Sequence, residues 1–277
     1  MLANNNEAII NKLAKNSVKT NKKQYAILFF TIILSAFMLF CVFTIGMTYL
    51  NSSRLQNTRL NGAEYDIVTM NGFTSEQLNT LQQNENIRSV GIESYAGFIQ
   101  STEYDKTVEI GLLWCDEVFW DNLMSPARTK LDGHYPQNKN ELMVTKDILK
   151  TCGNENLSVG DSLILTYENN TGVYTDEFVI SGIWDGYGDT SAGFVSKAFY
   201  DETGYDLKNN GILCIKLNCN YVFPTTIQSI EKSLDFSDRQ IFAPTGYIEN
   251  SFKLLLGICG LALVICLSAY LLIYNIL

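Results

Sequence analysis

Two runs of 24 residues, 26–49 and 254–277, contain no charged side chain, and nearly all of the charge lies between them. A helix of that length rises about 36 Å, enough to cross the roughly 30 Å hydrocarbon core of a bilayer with some tilt. Thirteen residues of the first run are Leu, Ile, Phe or Val, which makes insertion favourable. A cleaved signal peptide, the rival reading of that run, needs a shorter apolar core and a small-residue cleavage site, and Thr44-Ile45-Gly46 is a poor one. The expected layout is a basic segment 1–25, a membrane helix 26–49, an outer domain 50–252 and a second membrane helix 254–277.

Charge sets the expected orientation. One of the 29 acids (Glu7) and five of the 20 basic residues (Lys12, Lys15, Lys19, Lys22, Lys23) precede the first run, which leaves 28 acids and 15 bases between the runs. Basic residues stay on the cytoplasmic side, so the N-terminus is expected in the cytoplasm and residues 50–252 outside. A domain this acidic repels phosphate backbones, which argues against nucleic acid as a partner. Residues 4–18 read either as a frayed tail or as a short helix capped by Asn4 and Glu7. In the helix, Ile9, Ile10, Leu13, Ala14 and Val18 would face membrane lipid. The second run stops at Leu277 with no basic flank, and the sequence is expected to be part of a longer protein.

The middle segment mixes two periodicities. Strands are expected at 64–70, 87–99, 107–114, 141–144, 161–167, 177–184, 193–195 and 212–217. Helices are expected at 74–83, 146–151, 197–203 and 225–234, the first capped by Thr74 or Ser75 and the last opened by Pro224. The fold class is therefore α+β, with a β-rich insert over roughly 120–190 splitting the lobe.

A catalytic reading finds little to use. The single histidine, His134, sits in the turn-like Asp132-Gly133-His134-Tyr135-Pro136. With one histidine and scattered cysteines there is no zinc spacing, and no Gly-x-x-x-x-Gly-Lys loop is present for ATP. Asp185-Gly186-Tyr187-Gly188-Asp189 lacks the alternating oxygens of a calcium loop and reads as a turn after a strand. Trp114, Trp120 and Trp184 could line a ligand groove, but most of them read as core. No catalytic, cofactor or metal residue is assigned, and no cofactor is expected. Cys115, Cys152, Cys214 and Cys219 could form two disulfides or stay free. Cys214 and Cys219, five apart in an expected strand, point to opposite faces and should not pair with each other.

One stretch carries more information. Residues 131–184 contain Gly133, Pro136, Glu141, Gly160-Asp161 and Val179-Ile180-Ser181-Gly182-Ile183. This order resembles the extracytoplasmic domain of FtsX-like, MacB-type ABC transporter permeases, with His134 where the family has Arg and Ser181 where it has Val. The six motif positions Gly133, Pro136, Glu141, Gly160, Asp161 and Gly182 act there as turn and strand signals. The resemblance implies a porter-like lobe carrying a sabre-like insert, and a cytoplasmic ABC ATPase as partner subunit. It also implies a second permease copy in a dimer, and motion of the outer domain driven by the ATPase (mechanotransmission). Peptides, antibiotics and lipid-linked molecules are the substrate classes it suggests. The same layout of two helices around an outer domain also fits a membrane-anchored sensory receptor.

Overall fold

The computed structural model describes residues 7–100, 110–188, 192–219 and 223–276. In chain order the elements are α1 (Glu7–Thr20), α2 (Lys22–Asn61), β1 (Ile67–Met70), α3 (Ser75–Gln82), β2 (Ile87–Ile99) and β3 (Ile110–Cys115). A π-helix (Val118–Leu123) and a 3₁₀ turn (Ser125–Ala127) come next. Then follow β4 (Arg128–Gly133), β5 (Glu141–Thr145), α4 (Lys146–Thr151), β6 (Ser162–Asn169), β7 (Gly172–Gly186) and β8 (Ala192–Val195). The chain continues with α5 (Lys197–Tyr200), α6 (Leu207–Asn210), β9 (Ile212–Leu217), α7 (Pro224–Ser233), β10 (Ile241–Pro244) and α8 (Gly246–Ile276). These residues form two compact units, one made of the chain up to Asn51 and from Lys253, the other spanning Ser52–Phe252.

In the first unit, α2 and α8 are the two helices long and apolar enough to cross a membrane. A soluble core helix would be covered by protein, but none of the apolar window of α2 is buried and only 17% of that of α8. The two helices pack on each other through Gly46, where an added Cβ would lie 2.4 Å from Ile258 Cδ1. Ile258, Ala262 and Ile265 are buried at helical spacing on α8, whereas Gly257 and Gly260 face open space. The close approach is thus on a glycine of the first helix. Gly46→Leu is expected to overpack it and cost about 1–3 kcal/mol, read as a lower melting temperature of the full chain in detergent. α1 leaves Ile9, Ile10, Leu13 and Val18 exposed, and Asn4, its expected cap, lies outside the described residues.

In the second unit, ten strands form one mixed sheet in the order β10-β1-β9-β2-β3-β8-β5-β7-β4, with β6 pairing β2 and β7. The β3–β8 and β5–β7 pairs are parallel and the rest antiparallel. Strand alternation splits the core. On β9, Leu213, Ile215 and Leu217 join a cluster with Leu81, Ile230 and Ile248, while Cys214 joins Phe119, Trp120 and Trp184 in another. A third cluster gathers Leu142, Ile148, Phe178 and Phe199. All three tryptophans are core residues: Trp114 stacks on Tyr200 at 5.1 Å, and Trp120 and Trp184 both pack on Phe194.

Several expected bounds move for identifiable reasons. Thr74 closes a capping box with Gln77, so α3 starts where the sequence places it. Pro224 takes the first turn of α7. β7 reaches back to Gly172 because the polar stretch Val173–Glu177 pairs with β6 across an Asn169-centred turn, in which Asn169 Oδ1 accepts the Thr171 and Gly172 N–H groups. Cys219, expected in the same strand as Cys214, lies beyond it. Asn218 turns its side chain back to the Glu85 and Ile87 carbonyls and ends β9 at Leu217. All seven cysteines are free. The strand expected at 107–114 is seen from Ile110, and its first residues, like Asp189, lie outside the described residues.

Candidate functional site

Of the motif positions read from the sequence, Gly133, Glu141, Gly160 and Asp161 meet on one short stretch of β7 that contains Gly182. Gly133 ends β4 opposite Gly182. Its φ is +88°, and a Cβ there would sit 2.2 Å from the Ser181 carbonyl oxygen. That carbonyl accepts the His134 N–H at 2.9 Å. Gly182 is confined to a lesser degree, because a Cβ would meet His134 O and Met143 Cε, both at 2.9 Å. Gly160, at φ +95°, donates its N–H to Ile180 O at 2.8 Å, and Asp161 O accepts the Ile180 N–H at 2.9 Å. The Asp161 carboxylate in turn accepts the Ser158 N–H at 2.8 Å. Pro136 is buried and leads into the turn before β5.

Glu141 holds that turn. Its Oε2 accepts the Gln137 and Asn138 N–H groups at 2.7 and 3.1 Å, and its Oε1 accepts Asn138 Nδ2 at 2.7 Å. Partial desolvation pushes this carboxyl up, but the hydrogen bonds from Gln137 and Asn138 together outweigh it, and its pKa is lowered. A carboxyl lowered in the folded state stabilises above its unfolded pKa and loses that contribution as the pH falls through its folded pKa. Glu141→Gln is therefore expected to cost about 1 kcal/mol at neutral pH. The gap should close when melting curves of the two proteins are compared in acid.

A second constellation lies within the second unit, around Lys216. Lys216 on β9 is buried and reaches Asp66 Oδ2 at 3.1 Å and Glu64 Oε1 at 3.3 Å. Arg54 on α2 lies 3.9 Å from Glu64. Asp66 is the hub: its Oδ2 accepts the Leu217 N–H at 2.9 Å, its N–H donates to Ile215 O at 2.9 Å, and its carbonyl accepts the Thr245 N–H at 2.8 Å, one residue before α8. Within the second unit Asp66 thus ties the lead into β1 to β9 and to Thr245, while Arg54 joins the group through Glu64. Arg59, also on α2, stacks over the Tyr187 ring at 4.1 Å, beyond the end of β7.

His134 is exposed, with Nδ1 3.0 Å from the Tyr135 carbonyl, consistent with a turn residue. Two clefts open on the second unit. One of about 300 Å³ is lined by Tyr167, Tyr174, Asp176, Lys139 and Glu202. The other, of about 280 Å³, is lined by Lys130, Asp132, Lys146, Glu155 and Asp185. Neither includes His134 or a cysteine. Sequence reasoning did not find the Asp66–Lys216 pair, whose members are 150 residues apart. The one available signal was a lysine inside the otherwise apolar β9 segment Ile212–Leu217.

The sequence matches no protein-family model and no curated protein. Among solved structures, the chain is similar to the extracellular domain of the noncanonic ABC-type transporter YknZ from Gram-positive bacteria. The identity is 12% over 65% of this chain and 98% of that one, with a TM-score of 0.41. It is also similar to the periplasmic region of MacB from Actinobacillus actinomycetemcomitans, at 12% identity over 70% of this chain and 95% of that one, with a TM-score of 0.45.

Proposed function

We propose that the chain is a permease subunit of an ABC transporter of the FtsX-like, MacB type, with its N-terminus in the cytoplasm and residues 50–252 outside. The observation that carries this reading is helix continuity. α2 is a single 40-residue helix that holds the apolar run and continues without a break to Asn61. α8 likewise begins at Gly246, ahead of its apolar run. An unbroken helix is a stiff lever, about 60 Å long for α2. A partner ATPase acting on the cytoplasmic side would move such levers, and the Asp66 hub would pass the displacement into the sheet.

The motif residues around β7 support the same assignment, since their resemblance to the family is one of turn and strand positions. In this reading the segment 120–190, which supplies β4–β7, is the sabre-like insert. The cargo is a peptide, an antibiotic or a lipid-linked molecule, and a second permease copy completes the assembly. The lysines before the first membrane helix favour the cytoplasmic N-terminus.

The test is affinity purification of the native protein from membranes, with mass spectrometry of what accompanies it. A co-purifying P-loop ATPase is the expected result. A kinase or other signalling domain, with no ATPase, would replace this reading with that of a sensory receptor.

A further inference from the structure

Glu93 is a half-buried carboxyl on a central strand. It lies on β2, between β9 and β3, with Ile212 and Cys115 as its cross-strand neighbours. The π-helix Val118–Leu123 covers this face. Gly91, two residues before Glu93, makes room for it, since a Cβ there would come within 2.9 Å of Phe119 Cα and 2.8 Å of Leu123 Cδ1. Asp116 pins the cover down. Its Oδ1 accepts the Ile92 N–H at 3.0 Å and the Phe119 N–H at 2.8 Å.

The groups facing Glu93 are almost all neutral or acidic. They are Tyr65 ahead of β1, Cys115 on β3, Asp116 after it, Tyr135 after β4, and Cys214 on β9. Tyr135 is held in place, with its hydroxyl 3.2 Å from Val195 O and 3.6 Å from Cys115 Sγ. The nearby cation is Arg128, which acts on Cys115 but stacks over Trp120 at 4.0 Å. At and within the cover, Glu117 acts on Asp116 and Asp121 acts on Arg128. Among the described residues, no hydrogen bond or ion pair engages the Glu93 carboxyl.

We propose that Glu93 is the proton-binding element of a latch in the outer domain: protonated, it lets the π-helix lie closed on β2, and its ionisation loosens that cover. Burial pushes Glu93 up from the ordinary 4.5 to about 7. A carboxyl raised in the closed state disfavours that state once ionised. Closure is therefore fully supported below the ordinary value and is progressively lost as the pH rises to about 7. At tenfold per unit, that separation changes the closed-to-open ratio by roughly 300-fold. A π-helical turn is also the kind of local irregularity that concentrates at working sites. The inference stands whether or not the chain is a transporter subunit.

The experiment is hydrogen exchange with mass spectrometry on the full chain in nanodiscs from pH 5 to 8, corrected for the intrinsic rate. Protection of 116–124 is expected to fall across that range, and Glu93→Gln is expected to stay protected throughout. Asp116→Asn, which removes the neighbouring acid, should keep the step. A flat profile in the wild type, or the same step in Glu93→Gln, overturns the proposal. If Glu93→Gln does not fold, infrared titration of the wild type decides. A protonated buried carboxyl lost near pH 7 supports the latch, and its absence overturns it.

Discussion

Lys216→Met should be among the most destabilising single changes in the outer domain, at about 3–5 kcal/mol. The methionine keeps the length and apolar stem of the lysine but removes the charge that meets both Asp66 and Glu64. The side chains of Lys216 and Asp66 are 6% and 4% exposed, so water does not replace the lost partner. For a domain of this size the loss corresponds to a fall in melting temperature of roughly 6–20 °C. The double change Lys216→Met with Asp66→Asn should recover much of it, because a neutral residue at 66 leaves no bare charge at that buried position and can still accept the Leu217 N–H, while the more exposed Glu64 keeps Arg54. A single variant that melts within a degree or two of the wild type would mean that the pair is replaceable packing. The Asp66 hub would then lose its place in the proposed coupling. A single variant that falls and a double variant that recovers would identify the cost as unpaired charge.

That network marks the limit of what the sequence discloses. Apolar periodicity is local, so β2 was legible across Ile87–Ile99 and α3 was legible from Thr74 and Gln77. The two spans were plain from their lack of charge. The extension of α2 to Asn61 was not, because Asn51–Asn61 is polar and its helicity is fixed partly by tertiary contacts such as Arg54 on Glu64 and Arg59 on Tyr187. β4 was missed for a related reason. Five of its six residues are exposed, so it shows no buried alternation, and only its pairing with β7 makes it a strand. The π-helix depends on Gly91 and Asp116, two residues in different strands and turns whose proximity no local pattern encodes. The motif glycines were legible as turn signals, but their convergence on Val179–Ile183 was not, since spacing along a chain carries no information about which carbonyl a missing Cβ would strike.

Gly133→Val puts that convergence to a quantitative test. Two costs should add. A β-branched residue at φ +88° is strained by about 1–3 kcal/mol. The new Cβ, 2.2 Å from Ser181 O, must also displace backbone, at about 1–3 kcal/mol more. The backbone has little freedom to yield: Ser181 O is already bonded to the His134 N–H, Gly182 is the register partner of Gly133, and Ile180 is bonded on both sides to Gly160 and Asp161. Gly160→Val is the matching control. Its φ of +95° imposes the same strain, yet nothing lies within 4 Å of its Cβ position. Melting curves of the full chain should therefore place Gly133→Val well below Gly160→Val, by an amount that measures the collision alone. Equal losses would mean that both glycines are needed only for their backbone angle. A larger loss at 133 would show that the spacing from Gly133 to Gly182 encodes the close approach of β4 to β7, which makes the motif a statement about how two strands meet.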